Sequence, residues 1–195
     1  MNKSRLEAFS DGFFAIIITI TVLSLRVPKG ADLAALRPLI SEFLTYVMSF
    51  VYLGIYWNNH HHMLHVTRKV SGGILWANLH LLFWLSLIPF VTGWMGQNDF
   101  KPVPTALYGI LLFMAGTAYY ILQQTIIASE GSGSVLARAL GRDIKGKTSP
   151  VIYAAAIGSV FLHPLIADAL YVLVALIWLI PDRRIERAVS ANGEE

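Results

Sequence analysis

Four of the chain's six histidines, His60, His61, His62 and His65, crowd into residues 60–65. On a helix His61 and His65 stand one turn apart, the spacing at which two imidazoles share a metal ion. A metal site needs a third ligand, and no Asp or Glu lies near them in the sequence. The cluster therefore reads as interfacial or hydrogen-bonded histidines, with a pH-sensing role as the alternative because imidazole titrates near neutrality. The other conspicuous group is Asp11, the one acid in the apolar run from Phe9 to Leu25. An unpaired charge at the end of a membrane span costs a few kcal/mol unless it faces protein or water, so Asp11 needs a partner. Arg5 lies six residues earlier, about 120° round the same helix, where the two do not pair naturally. His60, His61 and Asn78 are the candidates.

Elsewhere the chemistry is sparse. His80 reads as a hydrogen-bonded packing residue, and His163 with Asp168 as a turn and an end-of-helix charge. There is no cysteine, which rules out disulfides, thiolate metal sites and thiol nucleophiles. No phosphate loop, serine triad or zincin helix is present, so no enzymatic activity, resident metal or cofactor is expected.

The elements that hold these residues are membrane spans. Of 195 residues, 55% are hydrophobic and 14% charged, with mean hydropathy +0.58; soluble domains carry about 25% charged residues. Charge this thin excludes an ordinary cytosolic enzyme. The apolar residues form blocks of the length a bilayer demands, about 20 helical residues. Net charge +3 does not indicate a nucleic-acid partner, because the basic residues sit between the blocks, where they set orientation.

We read an all-α, single-domain membrane protein over residues 1–195 with six spans at about 6–26, 38–62, 73–95, 105–128, 149–163 and 165–181. Arg5, Glu7 and Asp11 crowd any would-be leader, so the first span is expected to be retained. The glycines, serines and basic residues of 129–149 read as a loop. The last apolar block is too long for one level span and is interrupted by His163 and Pro164, giving either one kinked helix or two short ones. Charge favours two. Six spans place Lys3, Arg5, Arg68, Lys69, Arg138, Arg142, Lys145, Lys147, Arg183, Arg184 and Arg187 on one side, against Arg26, Lys29, Arg37 and Lys101 on the other. By the positive-inside rule both termini are cytoplasmic. Gly109 and Gly116 suggest close helix packing.

On the first span, a turn of 100° per residue from Asp11 sets Ile16 at about 140°, Thr19 at about 80°, Ile20 at about 180° and Leu23 at about 120°. These four share a face, and Asp11 points away from it. A stripe of this kind suits lipid contact or helix packing as well as a pore.

Arg5, Phe9, Ser10 and Asp11, followed by Ala15 and Ile16, resemble the R-x-x-x-F-S-D signature of the bacterial and archaeal relatives of the lysosomal potassium channel transmembrane protein 175. Trp57 with His60 and His61, then Trp76, Asn78, Pro89 and Phe90, and finally Trp178, Pro181, Asp182 and Arg183, are similar to that family in the same order. The resemblance implies a potassium-permeable cation channel without the T-V-G-Y-G filter, in the prokaryotic cell membrane. It implies a pore lined by the first helix, with Ile16 as the bottleneck and Thr19, Ile20 and Leu23 as the next layers. Arg5, Phe9, Ser10, Asp11, Trp57, His60 or His61, and Asn78 would form a polar network bracing that helix.

Hydrophobic rings would govern wetting, and the Thr19 hydroxyls would partly replace ion hydration, so preference for potassium over sodium should be modest. One six-span unit presents one pore helix, so a homotetramer around a fourfold axis is expected. The partners are then the bilayer, monovalent cations and three further copies. A proton-coupled or proton-permeable transporter is the alternative, motivated by Asp11 and the histidines; a histidine-based membrane enzyme ranks third.

Overall fold

A computed structural model describes residues 2–131, 133–140 and 143–179. Among these residues the chain is helical throughout: α1 Lys3–Leu23, a 3₁₀ segment Leu33–Leu39, α2 Ile40–His65, α3 Gly72–Ser86, α4 Ile88–Gln97, α5 Pro102–Glu130, α6 Val135–Leu140, α7 Ile144–Ser159 and α8 Pro164–Leu179. Arg142 and the segment 180–195, with Pro181, Asp182, Arg183, Arg184 and Arg187, lie outside the described residues.

Local chemistry sets the boundaries. The Asn2 side chain caps α1 and the Ser71 hydroxyl caps α3, accepting from Ile74 N at 3.3 Å. Orphan amides at a helix start need such acceptors. The block 73–95 is broken between α3 and α4 at Leu87, because Pro89 has no N–H to return to Leu85. Asp99 and Phe100 both adopt left-handed backbone, φ 49° and 56°, turning the chain sharply before Pro102 starts α5. The stretch 129–149 is more ordered than a loop. It holds α6 and the first turn of α7, where Asp143 accepts from Gly146 N at 3.0 Å.

Among the described residues, four helical stretches are long and apolar enough to cross a bilayer: Lys3–Leu23, Leu33–His65, Gly72–Gln97 and Pro102–Glu130. α7, 16 residues long, is about 24 Å in length, short of a hydrocarbon core of about 30 Å, and α8 is described from Pro164 to Leu179. The turn between them ends at His163, and Pro164 opens α8.

α5 is the hub, with α3, α4, α7 and α8 packed around it; α2 lies against α4, and α1 packs on α2 and α4 with a smaller contact to α3. Leu53, Leu81, Leu85, Leu112, Ala115 and Leu122 are fully buried at the centre. Large apolar side chains also cover the outside, among them Val27, Trp76, Phe90, Phe161 and Leu165. A soluble surface does not carry so much contiguous apolar area. In a bilayer it meets hydrocarbon, and the chain is an integral membrane protein.

Candidate functional site

α1 has two faces. Leu6, Ser10, Phe14, Ile17 and Thr21 recur at three- and four-residue steps and are buried against the bundle. Ile16, Thr19, Ile20 and Leu23 lie on the other side, with Ile16 59% and Leu23 76% exposed. Gly12 and Phe9 extend this exposed face toward the helix start. The Thr19 hydroxyl donates to the Ala15 carbonyl at 2.8 Å, which leaves its oxygen lone pairs as the polar feature of the stripe.

The buried face is held to the bundle by hydrogen bonds at its N-terminal end. Asn78 on α3 bridges two helices: its Nδ2 donates to Ser10 Oγ on α1 at 3.1 Å, and its Oδ1 accepts from His60 Nε2 on α2 at 2.7 Å. All three residues are buried, and the His60 ring lies 5.7 Å from that of Phe14. The Oδ1 acceptor requires the His60 proton on Nε2.

Beside this bridge, Trp57 Nε1 donates to Asp11 Oδ1 at 2.9 Å. The partner of Asp11 is thus the indole, while His60 and Asn78 pair with Ser10. His61 is exposed; its ring lies tilted 6.1 Å from that of Trp57 and stacked 6.2 Å from that of His65, and it has no hydrogen bond among the described residues. Phe9 packs its ring 6.3 Å from Phe13. Arg5 is exposed, and its guanidinium has no partner among the described residues. No cluster of metal-ligating side chains occurs among them either.

The opposite end of α1 is held by a pair that sequence reasoning missed. Arg26 Nε donates to Glu42 Oε1 at 2.7 Å, and Nη2 reaches the same oxygen. Glu42 is only 4% exposed; its hydrogen bond and charge hold the Arg26 guanidinium above its ordinary range. The available signal was a lone acid opening the second apolar block opposite the basic residue that closes the first. Close approach of α4 permits the arrangement, because a side chain at Gly96 would overlap Thr45 Oγ1 and the Glu42 backbone.

A helical bundle with an apolar exterior and several helices long enough to span a bilayer define a polytopic membrane protein. The sequence profile of the family described as endosomal/lysosomal potassium channel TMEM175 matches residues 5–89. A potassium channel from Chryseobacterium sp. strain P1-3 is 54% identical over 192 residues, covering 98% of this chain and 100% of that one. A potassium channel from Streptomyces collinus is 33% identical over 131 residues, 63% of this chain and 64% of that one. The chain belongs to the TMEM175 family. The crystal structure of a lysosomal potassium-selective channel TMEM175 homolog from Chamaesiphon minutus superposes with a TM-score of 0.81 at 21% identity, covering 92% of this chain and 97% of that one. The fold is therefore shared with that channel. The zebrafish endosomal/lysosomal proton channel TMEM175 is 42% identical over 96 residues, 43% of this chain but 18% of its own length.

Proposed function

We propose that this protein is a potassium-permeable cation channel, assembled as a homotetramer in the prokaryotic cell membrane, whose pore is lined by α1. The carrying observation is the division of that helix. One face is buried and hydrogen-bonded, while the other exposes Ile16, Thr19, Ile20 and Leu23. One such face cannot enclose an ion path; four around an axis can.

Rings of Ile16 and Leu23 form a hydrophobic constriction that gates by wetting, and four Thr19 oxygens between them offer partial replacement for ion hydration. Selectivity for potassium over sodium is accordingly modest. The channel needs no cofactor. Each subunit crosses the membrane six times with both termini cytoplasmic; α7 and α8 do so as a hairpin turned at His163 and Pro164. Ser10, Asn78 and His60, with Asp11 and Trp57, position the cytoplasmic end of the pore helix.

Flux from purified protein in liposomes, with potassium, sodium and proton gradients imposed separately, tests this. Potassium flux exceeding sodium flux is expected, and Ile16→Asn should raise flux while weakening discrimination. Unchanged flux in that variant removes Ile16 as the narrowest layer. A second reading, proton permeation, is favoured by the polar network beside α1 and by the proton-channel name of the zebrafish relative; flux driven by the proton gradient alone would select it.

A further inference from the structure

The geometry points to a proton-binding site at the Asp168 carboxyl, on the side of α8 that packs into the bundle, away from the exposed face of α1. It stands whether or not α1 lines a pore. Asp168 is an interior residue of α8, more than a turn past Pro164, too deep to cap the helix start. Both its carboxylate oxygens are shut off from solvent and have no hydrogen-bond partner. The one other such side-chain atom among the described residues is Thr105 Oγ1, on a residue fully buried in α5.

Neighbouring contacts bring the two helices together at this level. Tyr171, one turn beyond Asp168, donates its hydroxyl to the Thr105 carbonyl at 3.1 Å. Gly109 makes room for it, since a side chain there would overlap the Tyr171 hydroxyl and Ile157. Asp168 is close enough for its charge to act on the hydroxyls of both Tyr108 and Tyr171.

A carboxylate sealed in an apolar bundle without a partner is costly unless it is neutralised. The titratable side chains around it are tyrosines: Tyr108 from α5, Tyr171 from α8, Tyr52 from α2, which donates to the Tyr171 carbonyl at 2.6 Å, and Tyr153 from α7, 3.4 Å from the Tyr52 hydroxyl. None supplies positive charge. His163, on the turn before α8, and Lys101, before α5, are exposed, and His163 Nδ1 accepts from Leu165 N. A metal cation would call for a fuller shell of oxygens than one carboxylate. A proton requires only the carboxylate and removes its buried charge. Asp168 therefore takes up a proton as the end of the bundle where α8 begins is acidified; uptake stabilises the fold, and release leaves a buried charge.

Infrared difference spectra of the purified protein in liposomes, taken between mildly alkaline and mildly acidic buffer, read the site directly. A protonated-carboxyl band should appear on acidification and be missing in Asp168→Asn. The thermal midpoint of the wild type should rise with acidification, whereas that of Asp168→Asn should lose this Asp168-dependent part of the rise. An unaltered band or an identical pH profile in the variant overturns the proposal. If Asp168→Asn does not fold, wild type labelled with carboxyl-¹³C aspartate decides. A labelled carboxyl band that titrates with pH regardless of whether potassium, sodium or a bulky organic cation is present supports the site. No such band, or one that follows the metal cation, overturns it.

Discussion

Replacing Asn78 with alanine removes the one side chain that joins α1, α2 and α3. Two hydrogen bonds are lost, at 2.7 Å to His60 and 3.1 Å to Ser10, and both former partners are buried. Leaving a buried polar group unpartnered costs about 1–3 kcal/mol each, so Asn78→Ala should lose about 2–6 kcal/mol. For a protein of this size that is a fall in thermal midpoint of about 4–24 °C, at about 2–4 °C per kcal/mol. The assay is a thermal-shift series on detergent-purified protein comprising Asn78→Ala, Ser10→Ala and the double variant. Ser10→Ala removes its orphan in advance, so the double variant should lose less than the sum of the two by about 0.5 kcal/mol or more. Strict additivity, or an Asn78→Ala midpoint indistinguishable from wild type, would refute the bridge as a stabilising unit.

Five further substitutions separate contacts that look alike on paper. Trp57→Phe removes the donor to Asp11, but Asp11 is only half-buried and water replaces the indole; its cost in the same thermal assay should stay near 0.5–1.5 kcal/mol, roughly, well below that of Asn78→Ala. Gly109→Ala drives a methyl into Tyr171 and should destabilise by about 1–3 kcal/mol, whereas Gly116→Ala, whose nearest neighbour would be 3.7 Å away, should be neutral or stabilising by up to about 1 kcal/mol through helix propensity; equal midpoints for the pair would contradict the packing. At the Arg26–Glu42 pair, Arg26→Ala strands a buried carboxylate while Glu42→Gln leaves the arginine in water, so folded yield should fall further for Arg26→Ala, and the reverse order would mean that Glu42 is solvated.

Four stretches of the described residues that are apolar and long enough to cross a bilayer were legible in the composition, and the stripe of α1 follows from a 3.6-residue period that burial on the opposite face respects. What escaped is of two kinds. Helix breaks set by a single backbone donor, such as the one before Pro89 inside an apolar run, leave hydropathy untouched; periodicity passes straight through them. Pairings between distant residues depend on rotation of one helix against another. The candidates for Asp11 included His60 and Asn78 because they share its depth, yet depth does not decide azimuth: Trp57, one turn before His61, faces α1 while His61 faces outward. Gly109 and Gly116 read alike in sequence for the same reason, and only the position of Tyr171 distinguishes them.

The two ends of α1 are fixed by different physics, and this bears on how it would move. At one end, the Ser10–Asn78–His60 bridge is buried and neutral, so salt screens it little and its loss costs the desolvation of its partners. At the other, Arg26 is largely in water while Glu42 is not, so the pair responds to ionic strength and to the charges of the medium. Between them, Phe14 and Ile17 contribute apolar packing with no direction of its own. Raising the ionic strength should therefore loosen the Arg26 end of the helix before the Ser10 end; hydrogen exchange along α1 at low and high salt checks this, and equal change at both ends would contradict the contrast.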